Sequence, residues 1–292
     1  EEFRNFAKKL APLLQDNHTW ELTSAPENTE ASEMSPAYWV GQLTFTSNRG
    51  ESAGVKQTDM RSGRGYYDVF VVGKQDSGNN VPGKMKGKIN SRFNDGPATF
   101  STDGKEAIFT RTYKKKGPDG YRKLWLYRAD WDAKKGWVNV QPLPFNSNTF
   151  NTAHPSLSKD GRKLYFVSDM PGGLGETDVY VSVRNGATWE APVNLGKEIN
   201  TPGTEMFPFI ADDGTLYYAS DCKVGLGGLD IYAATASGNK FGSVYNLGIP
   251  VNTSADDFGL ATDETVRAGF FTSNRDGGVG GDDLYHFLKK TE

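Results

Sequence analysis

The segment SDMPGGLGETDVYV (168–181) decides how this chain is read, because it occurs more than once. Related forms are SDCKVGLGGLDIYA (220–233) and SNRDGGVGGDDLYH (273–286). Each follows a strand-like run: KLYFV (163–167), TLYYA (215–219) or RAGFFT (267–272). Each run follows a turn signal, SKDG (158–161), ADDG (211–214) or ATDE (261–264). Outer strands come next, within TWEAPVNLG (188–196) and FGSVYNLG (241–248). Asn-Thr loops then lead into INTPGTEMFPFI (199–210) and VNTSADDFGLA (251–261).

Two degraded copies precede these. NDGPATFSTDGKEAIFTR (94–111) opens one unit, with later strands LWLYRA (124–129) and WVNVQPL (137–143). MSPAYWVGQLTFTSNRG (34–50) opens the earliest, which continues to YYDVFVV (66–72). The innermost strand therefore begins near Ser35, Gly96, His154, Phe207 and Phe258, a spacing of 51 to 61 residues. Four short strands per unit at that period predict a β-propeller. A β-sandwich does not repeat one turn at one strand position.

The ends support a ring. The fifth unit stops at DDLYHFLKK (282–290), one strand short, while HTWELTS (18–24) is one strand in excess. The fold expected is all-β: a five-bladed β-propeller closed by an N-terminal strand completing the last blade, plus a short N-terminal helix. Residues 18–290 are the propeller. Residues 1–17 are the helix, or the remnant of a preceding domain. In FRNFAKKLAPLL (3–14), Phe3, Phe6, Ala7, Leu10, Leu13 and Leu14 share a helical face, and Pro12 limits its length. The start at Glu1, without an initiator Met, reads as an excised or processed piece.

Composition agrees. Hydrophobic residues are 36% of the 292, with 34 glycines and 12% aromatics, which suits thin core layers between short strands. A net charge of −3 gives no basic excess for nucleic acid. The single Cys222 excludes an intrachain disulfide and a cysteine-built zinc site. No apolar run is long enough to span a bilayer as a helix.

These units resemble the WD40-like Per-Asp repeats of TolB-type propellers. The form INSRFNDGPATFSTDGKEAIFTR (89–111) followed by NTAHPSLSKDGRKLYFVSDMPGGLGETDVY (151–180) is most similar to exported propellers of Bacteroidetes-type, OmpA-family envelope proteins. The resemblance covers nearly all of residues 20–287. It implies a periplasmic, outer-membrane-associated, non-catalytic scaffold, placed between helical repeats and a peptidoglycan-binding domain in type IX secretion or gliding complexes. No OmpA-like domain lies in these 292 residues, so peptidoglycan binding is carried over to none of them.

Four constellations are candidates for chemistry. The first is the glycine-rich turn with its aspartate: Asp178, Asp230, Asp283, and Asp68 in the first unit. Its amides can nest an anion and its carboxylate can meet a cation. But a strand follows where a phosphate cradle needs a helix, and a catalytic site is needed once, not once per blade. The preferred role is structural, with Asp accepting hydrogen bonds from its own turn. Trp125 takes the Asp place in the second unit.

The second is a ring of acids. Counting five from the Asn of each Asn-Thr/Ser loop gives Glu33, Asp95, Glu205 and Asp257. Counting from Asn148 gives Ala153, with His154 beside it. These residues stand at one expected channel mouth. Either each carboxylate ties down its own loop, or they share an ion, calcium being the candidate. No other cofactor is implied.

Third, the histidines His18, His154 and His286 lie in different units, and no HExxH occurs. Arg49, Arg111 and Arg275 follow second strands, but Asp169 and Asp221 interrupt any arginine ring, so these arginines are expected to brace blades by pairing with acids. No catalysis is expected. The alternative is a carbohydrate-binding or glycan-cleaving propeller, which needs Trp39, Trp125 or Trp189 exposed near one mouth.

Fourth, Lys84, Lys86, Lys88, Arg92, Lys114, Lys115 and Lys116 make blades one and two basic. They form either an ordinary solvated face or a docking surface for an acidic partner, and blades one and two, with the insertion GESAGVKQTDMRSGRG (50–65), are where a partner would be sought.

Overall fold

The computed structural model describes residues 8–15, 19–50, 65–74, 80–238 and 240–290. Phe3, Phe6, Ala7, His18 and nearly all of the 50–65 insertion lie outside them. β1 (Trp20–Ser24) comes first. Blade one is β2 (Glu33–Trp39), β3 (Gln42–Ser47), β4 (Asp68–Lys74) and β5 (Asn80–Lys84), hydrogen-bonded in that order. Blade two is β6 (Asp95–Phe100), β7 (Glu106–Lys116), β8 (Arg122–Asp132) and β9 (Gly136–Pro142). Blade three is β10 (Thr152–Leu157), β11 (Lys163–Ser168) and β12 (Asp178–Asn185), edged by β13 (Thr188–Trp189) and β14 (Val193–Asn194). The single outer strand expected over 188–196 is split, and Pro192 in the gap has no N–H to give β12.

Blade four is β15 (Glu205–Ile210), β16 (Leu216–Ser220), β17 (Asp230–Ser237) and β18 (Lys240–Asn246). Blade five is β19 (Asp257–Thr262), β20 (Ala268–Ser273), β21 (Asp283–Lys289) and, from the other end of the chain, β1. β1 pairs antiparallel with β21, Trp20 opposite Lys289 and Ser24 opposite Tyr285. The spare N-terminal strand thus closes the ring.

The core lies between blades rather than within one mass. Five buried clusters occupy the five seams. Phe109 and Trp137 of blade two pack with Val69 of blade one, and Phe166 of blade three packs with Ile108 of blade two. Tyr218 of blade four meets Tyr165, Phe271 of blade five meets Tyr217, and Phe45 of blade one meets Leu284. Each layer is one side chain thick per blade face, which is why 36% hydrophobic residues suffice.

An asparagine clamps every seam. The side chains of Asn28, Asn90, Asn146, Asn200 and Asn252 accept from the backbone N–H of Leu284, Val69, Leu126, Val179 and Ile231. Each donates back to the carbonyl of that same residue. A side-chain amide thereby copies one rung of a β-ladder across the joint. The glycine three residues before the Asp of the repeated turn serves the same seam. A Cβ on Gly175, Gly227 or Gly280 would lie 2.3, 2.0 or 1.9 Å from a backbone carbonyl oxygen of the next blade's lead-in loop.

The described part of the N-terminal segment is helical over 8–14, ending in a 3-10 turn, Ala11–Leu14, that starts around Pro12. The carbonyl of Leu13 accepts from Ile249 N at 3.0 Å, so this segment touches the linker between blades four and five.

Candidate functional site

The innermost strand of every blade carries a register shift near its start. A left-handed residue sits in each: Ser35 (φ 54°), Gly96 (φ 99°), His154 (φ 51°), Phe207 (φ 49°) and Gly259 (φ 60°). Three of the five are not glycine, so the bend holds against local preference. It separates two layers of the channel wall, the acids before it and an apolar neck after it.

Glu33, Asp95, Glu205 and Asp257 are fully buried. Glu33 accepts from Thr29 N and Oγ1, Glu205 from Thr201 N and Oγ1, Asp257 from Thr253 N and Oγ1, and Asp95 from Ser91 N. Each carboxylate therefore grips its own lead-in loop. Arg49 pairs with Glu33 at 3.1 Å, Arg275 with Asp257 at 2.7 Å, and Arg111 with Asp95. The three guanidinium groups also donate to carbonyls of the linker arriving from the preceding blade, at Glu27, Lys88 with Ile89, and Pro250 with Val251. The arginines brace joints through acids of their own blade. Burial raises the Asp95 carboxyl to about 6 against the pull of Arg111, and burial also raises Glu205. Among the described residues no group of three or more His, Cys, Asp or Glu side chains gathers as a metal ion would need.

Blade three differs from the counting by one step. Its clamp is Asn146, not Asn148, and the residue opposite Ser168 is Thr152 rather than Ala153. Thr152 thus takes the acid position, and its hydroxyl donates to Asn146 Oδ1. Met170 stands two residues after Ser168, as Arg275 stands two after Ser273.

His154 belongs to the layer beyond the bend. Its ring stacks on Phe207 with centroids 3.9 Å apart, and Phe207 stacks on Phe258 at 4.7 Å. Together they plug the channel. Phe207 N donates to His154 Nδ1 at 3.4 Å. Burial drives the imidazole pKa down to about 3. The unfolded chain takes up a proton near the ordinary histidine value of about 6.5, and the folded chain does not. Stability contributed here is present above that value and declines as pH falls towards 3, by up to about 1.4 kcal/mol per pH unit. Urea unfolding at pH 5 and pH 7 should show a smaller pH difference for His154→Phe than for the native chain. Equal differences would mean that His154 is not the group responsible.

Beyond the plug lies a cavity of about 480 Å³, walled by all five innermost strands. Its rim is formed by the hairpins joining first and second strands, at the end of the ring away from the acids. It was missed in the sequence, although Pro36, Pro97, Pro155 and Pro208 repeat at one place in four blades.

The glycine-rich turns are closed on themselves. Asp178 accepts from Leu174 N, Gly175 N and Asn194 Nδ2. Asp230 accepts from Leu226 N, Gly227 N and Asn246 Nδ2, and Asp283 from Val279 N and Gly280 N. The amides that could have nested an anion point at these carboxylates. Asp68 pairs with Lys84 at 2.9 Å. Trp125, in the Asp place of blade two, stacks on Tyr113 at 3.6 Å and donates to the Ser147 carbonyl.

The basic residues divide. Arg92 and Arg122 both lie over the Phe93 ring, 5.3 and 5.8 Å from its centroid, and Arg122 donates to the Lys114 carbonyl. Arg92 therefore joins the hairpin of Lys114, Lys115 and Lys116. Lys86 and Lys88 sit on the linker that pairs with Trp137 at the outer edge. Trp39, Trp125 and Trp189 are half-buried, and none lines the cavity. Trp39 packs with Trp131 and Trp137, and Trp189 lies under Arg184.

Five blades, asparagine clamps and internally satisfied carboxylates define a β-propeller whose repeated polar motifs are structural joints. No family model matches the sequence, and no curated protein matches it. Among solved structures, the fold is similar to a putative TolB from Agrobacterium tumefaciens at 14% identity, over 92% of this chain and 90% of that one, with a TM-score of 0.53. It is similar to an α-L-arabinofuranosidase from Lactobacillus brevis at 12% identity, over 92% and 93%, with a TM-score of 0.54. A protein of unknown function from Dyadobacter fermentans matches at 11% identity over 88% and 77%, with a TM-score of 0.52. These likenesses establish the TolB-like propeller fold, which an enzyme and a TolB protein share. No described helix is long and apolar enough to cross a membrane.

Proposed function

We propose that this protein is a non-catalytic interaction scaffold of the bacterial envelope. It works in the periplasm beside the outer membrane, in a complex of the type IX secretion or gliding kind, as the PorE propeller does. A domain outside this sequence links it to peptidoglycan.

The observation that carries this reading is the blade-two hairpin. β7 and β8 are 11 residues each, whereas second and third strands elsewhere are 5 to 8. The hairpin extends past its neighbours, with Lys114, Lys115, Lys116 and Arg122 exposed and Tyr121 59% exposed at its tip. The corresponding turns of blades three and five also put Leu174 and Val279 outward. A rigid ring thus presents one basic arm and scattered apolar tips to one side, which suits docking of an acidic protein. The polar clusters described above, consumed by joints, support a display role over a chemical one.

Changing Lys114, Lys115 and Lys116 together to Glu should leave the urea midpoint nearly unchanged, since exposed substitutions typically shift stability by about 0.5 kcal/mol or less. Proximity labelling from the propeller in cells should label secretion-complex proteins, and the triple variant should lose that labelling about tenfold. Identical labelling by both forms, or none of envelope proteins by the native form, refutes the reading.

A further inference from the structure

The cavity beyond the channel plug has a graded chemistry. At its floor is His154, 8% exposed. Its Nδ1 accepts from Phe207 N, so the neutral ring carries its proton on Nε2. No acceptor for that N–H is found among the described residues. Two more wall residues, Ser35 and Thr262, have buried hydroxyls without partners. Unmet buried polar groups cost free energy, and these two hydroxyls, with the His154 N–H opening on the same cavity, point to something that meets them.

The wall itself is apolar. Four prolines face inward without N–H donors, and Tyr38, Phe100 and Phe209 supply aromatic surface. The rim is acidic: Asp212, Asp263 and Glu264 stand there against Lys159. Lys159 is already paired with Asp212 at 2.5 Å, which leaves a negative excess.

We infer that this cavity binds a small organic cation with an aromatic body. Its deep end accepts the His154 Nε2 hydrogen bond, its ring lies among the prolines and aromatic side chains, and its ammonium group faces Glu264 and Asp263. Aromatic walls favour such a cation further. A carboxylate ligand meets like charge at the rim. A sugar sets its hydroxyls against proline and phenylalanine. The cavity volume of about 480 Å³ falls in the range of small-molecule sites. This site opens at the opposite end of the blades from the basic hairpin, so the two proposals fail independently.

Tyramine is the probe, with 4-ethylphenol as its uncharged counterpart and 3-(4-hydroxyphenyl)propionate as its anionic one. Each is titrated into the full chain by calorimetry, with NMR shifts locating the contact. Tyramine should bind one to one at the cavity, about tenfold more tightly than 4-ethylphenol, with the anion weaker still. Glu264→Gln, at an exposed rim position, should weaken tyramine about two- to fivefold and leave 4-ethylphenol unchanged. His154→Phe keeps the ring stack, since Phe207 already fills the equivalent left-handed position, and should weaken both phenols. If that variant unfolds, Glu264→Gln decides alone. Failure of tyramine to bind, equal binding of the anion, or indifference of tyramine to Glu264→Gln overturns the inference.

Discussion

Arg275→Met should cost about 3–5 kcal/mol of stability, and adding Asp257→Thr should recover most of it. Asp257 is fully buried and depends on Arg275 at 2.7 Å for charge compensation. The guanidinium also donates to the carbonyls of Pro250 and Val251 and lies over Phe271 and Tyr285. Removing it strands a carboxylate in the seam, which is the costly event for a buried pair. Removing both charges is different, because blade three shows the neutral solution in the same fold. Thr152 lies opposite Ser168, Met170 follows two residues on, and Met170 N donates to Ser168 Oγ as Arg275 N does to Ser273 Oγ. The Thr152 hydroxyl uses the clamp, Asn146 Oδ1, and Asn252 offers the same acceptor in blade five. Urea unfolding of the native chain, both single variants and the double variant gives the coupling energy. It should be at least about 2 kcal/mol. Losses that simply add would show that the acid and the arginine are not an energetic unit.

That contrast between blades also marks how far the sequence could be read. The repeated turn, the alternating runs and the spare strand HTWELTS gave the blades and their closure, because these are local patterns repeated at one period. The acid ring was legible as a position but not as a direction. A strand residue changes face with a single step of register, and every innermost strand here contains such a step. Counting placed four acids correctly at the head of the innermost strand. It offered the turn back to each acid's own loop beside a shared ion, and the hydrogen bonds to Thr29, Ser91, Thr201 and Thr253 show the first. In blade three, Asn146-Ser147 and Asn148-Thr149 fit the same pattern, and only the clamp on Leu126 selects the first. A usable signal was present: Arg two residues past the second-strand Ser accompanies the acid in blades one and five, and Met170 accompanies Thr152. The cavity was signalled only by a proline at one repeated position. No single blade contains enough of its wall to show it.

Deleting residues 1–24 should lower the unfolding free energy by at least about 3 kcal/mol, a large share of the 5–15 kcal/mol typical of a domain. β1 gives β21 five paired residues. Trp20 stands edge-on to Phe287 at 5.4 Å, and Leu22 packs on the same blade-four and blade-five cluster. Without β1, β21 becomes an unpaired edge and apolar surface of that cluster is uncovered. A bare, apolar edge recruits another strand. The truncated chain should therefore melt earlier and also form dimers or larger species, read by light scattering during size-exclusion chromatography. A synthetic peptide covering residues 17–26 should restore the melting temperature and the monomer, because it returns the same strand without the covalent link. The same peptide with Trp20 and Leu22 changed to Ser should restore neither. A truncated chain that stays monomeric and melts with the native protein would show that β1 decorates the ring without closing it. The distinction matters for rigid display. In this ring blade five is completed by β1 on β21, with the Asn28 clamp on Leu284 beside it, and no covalent bond joins β1 to β21. The other four blades are each built from consecutive strands of the chain. Blade five should thus be the first to open, while the blade-two hairpin keeps its support on either side.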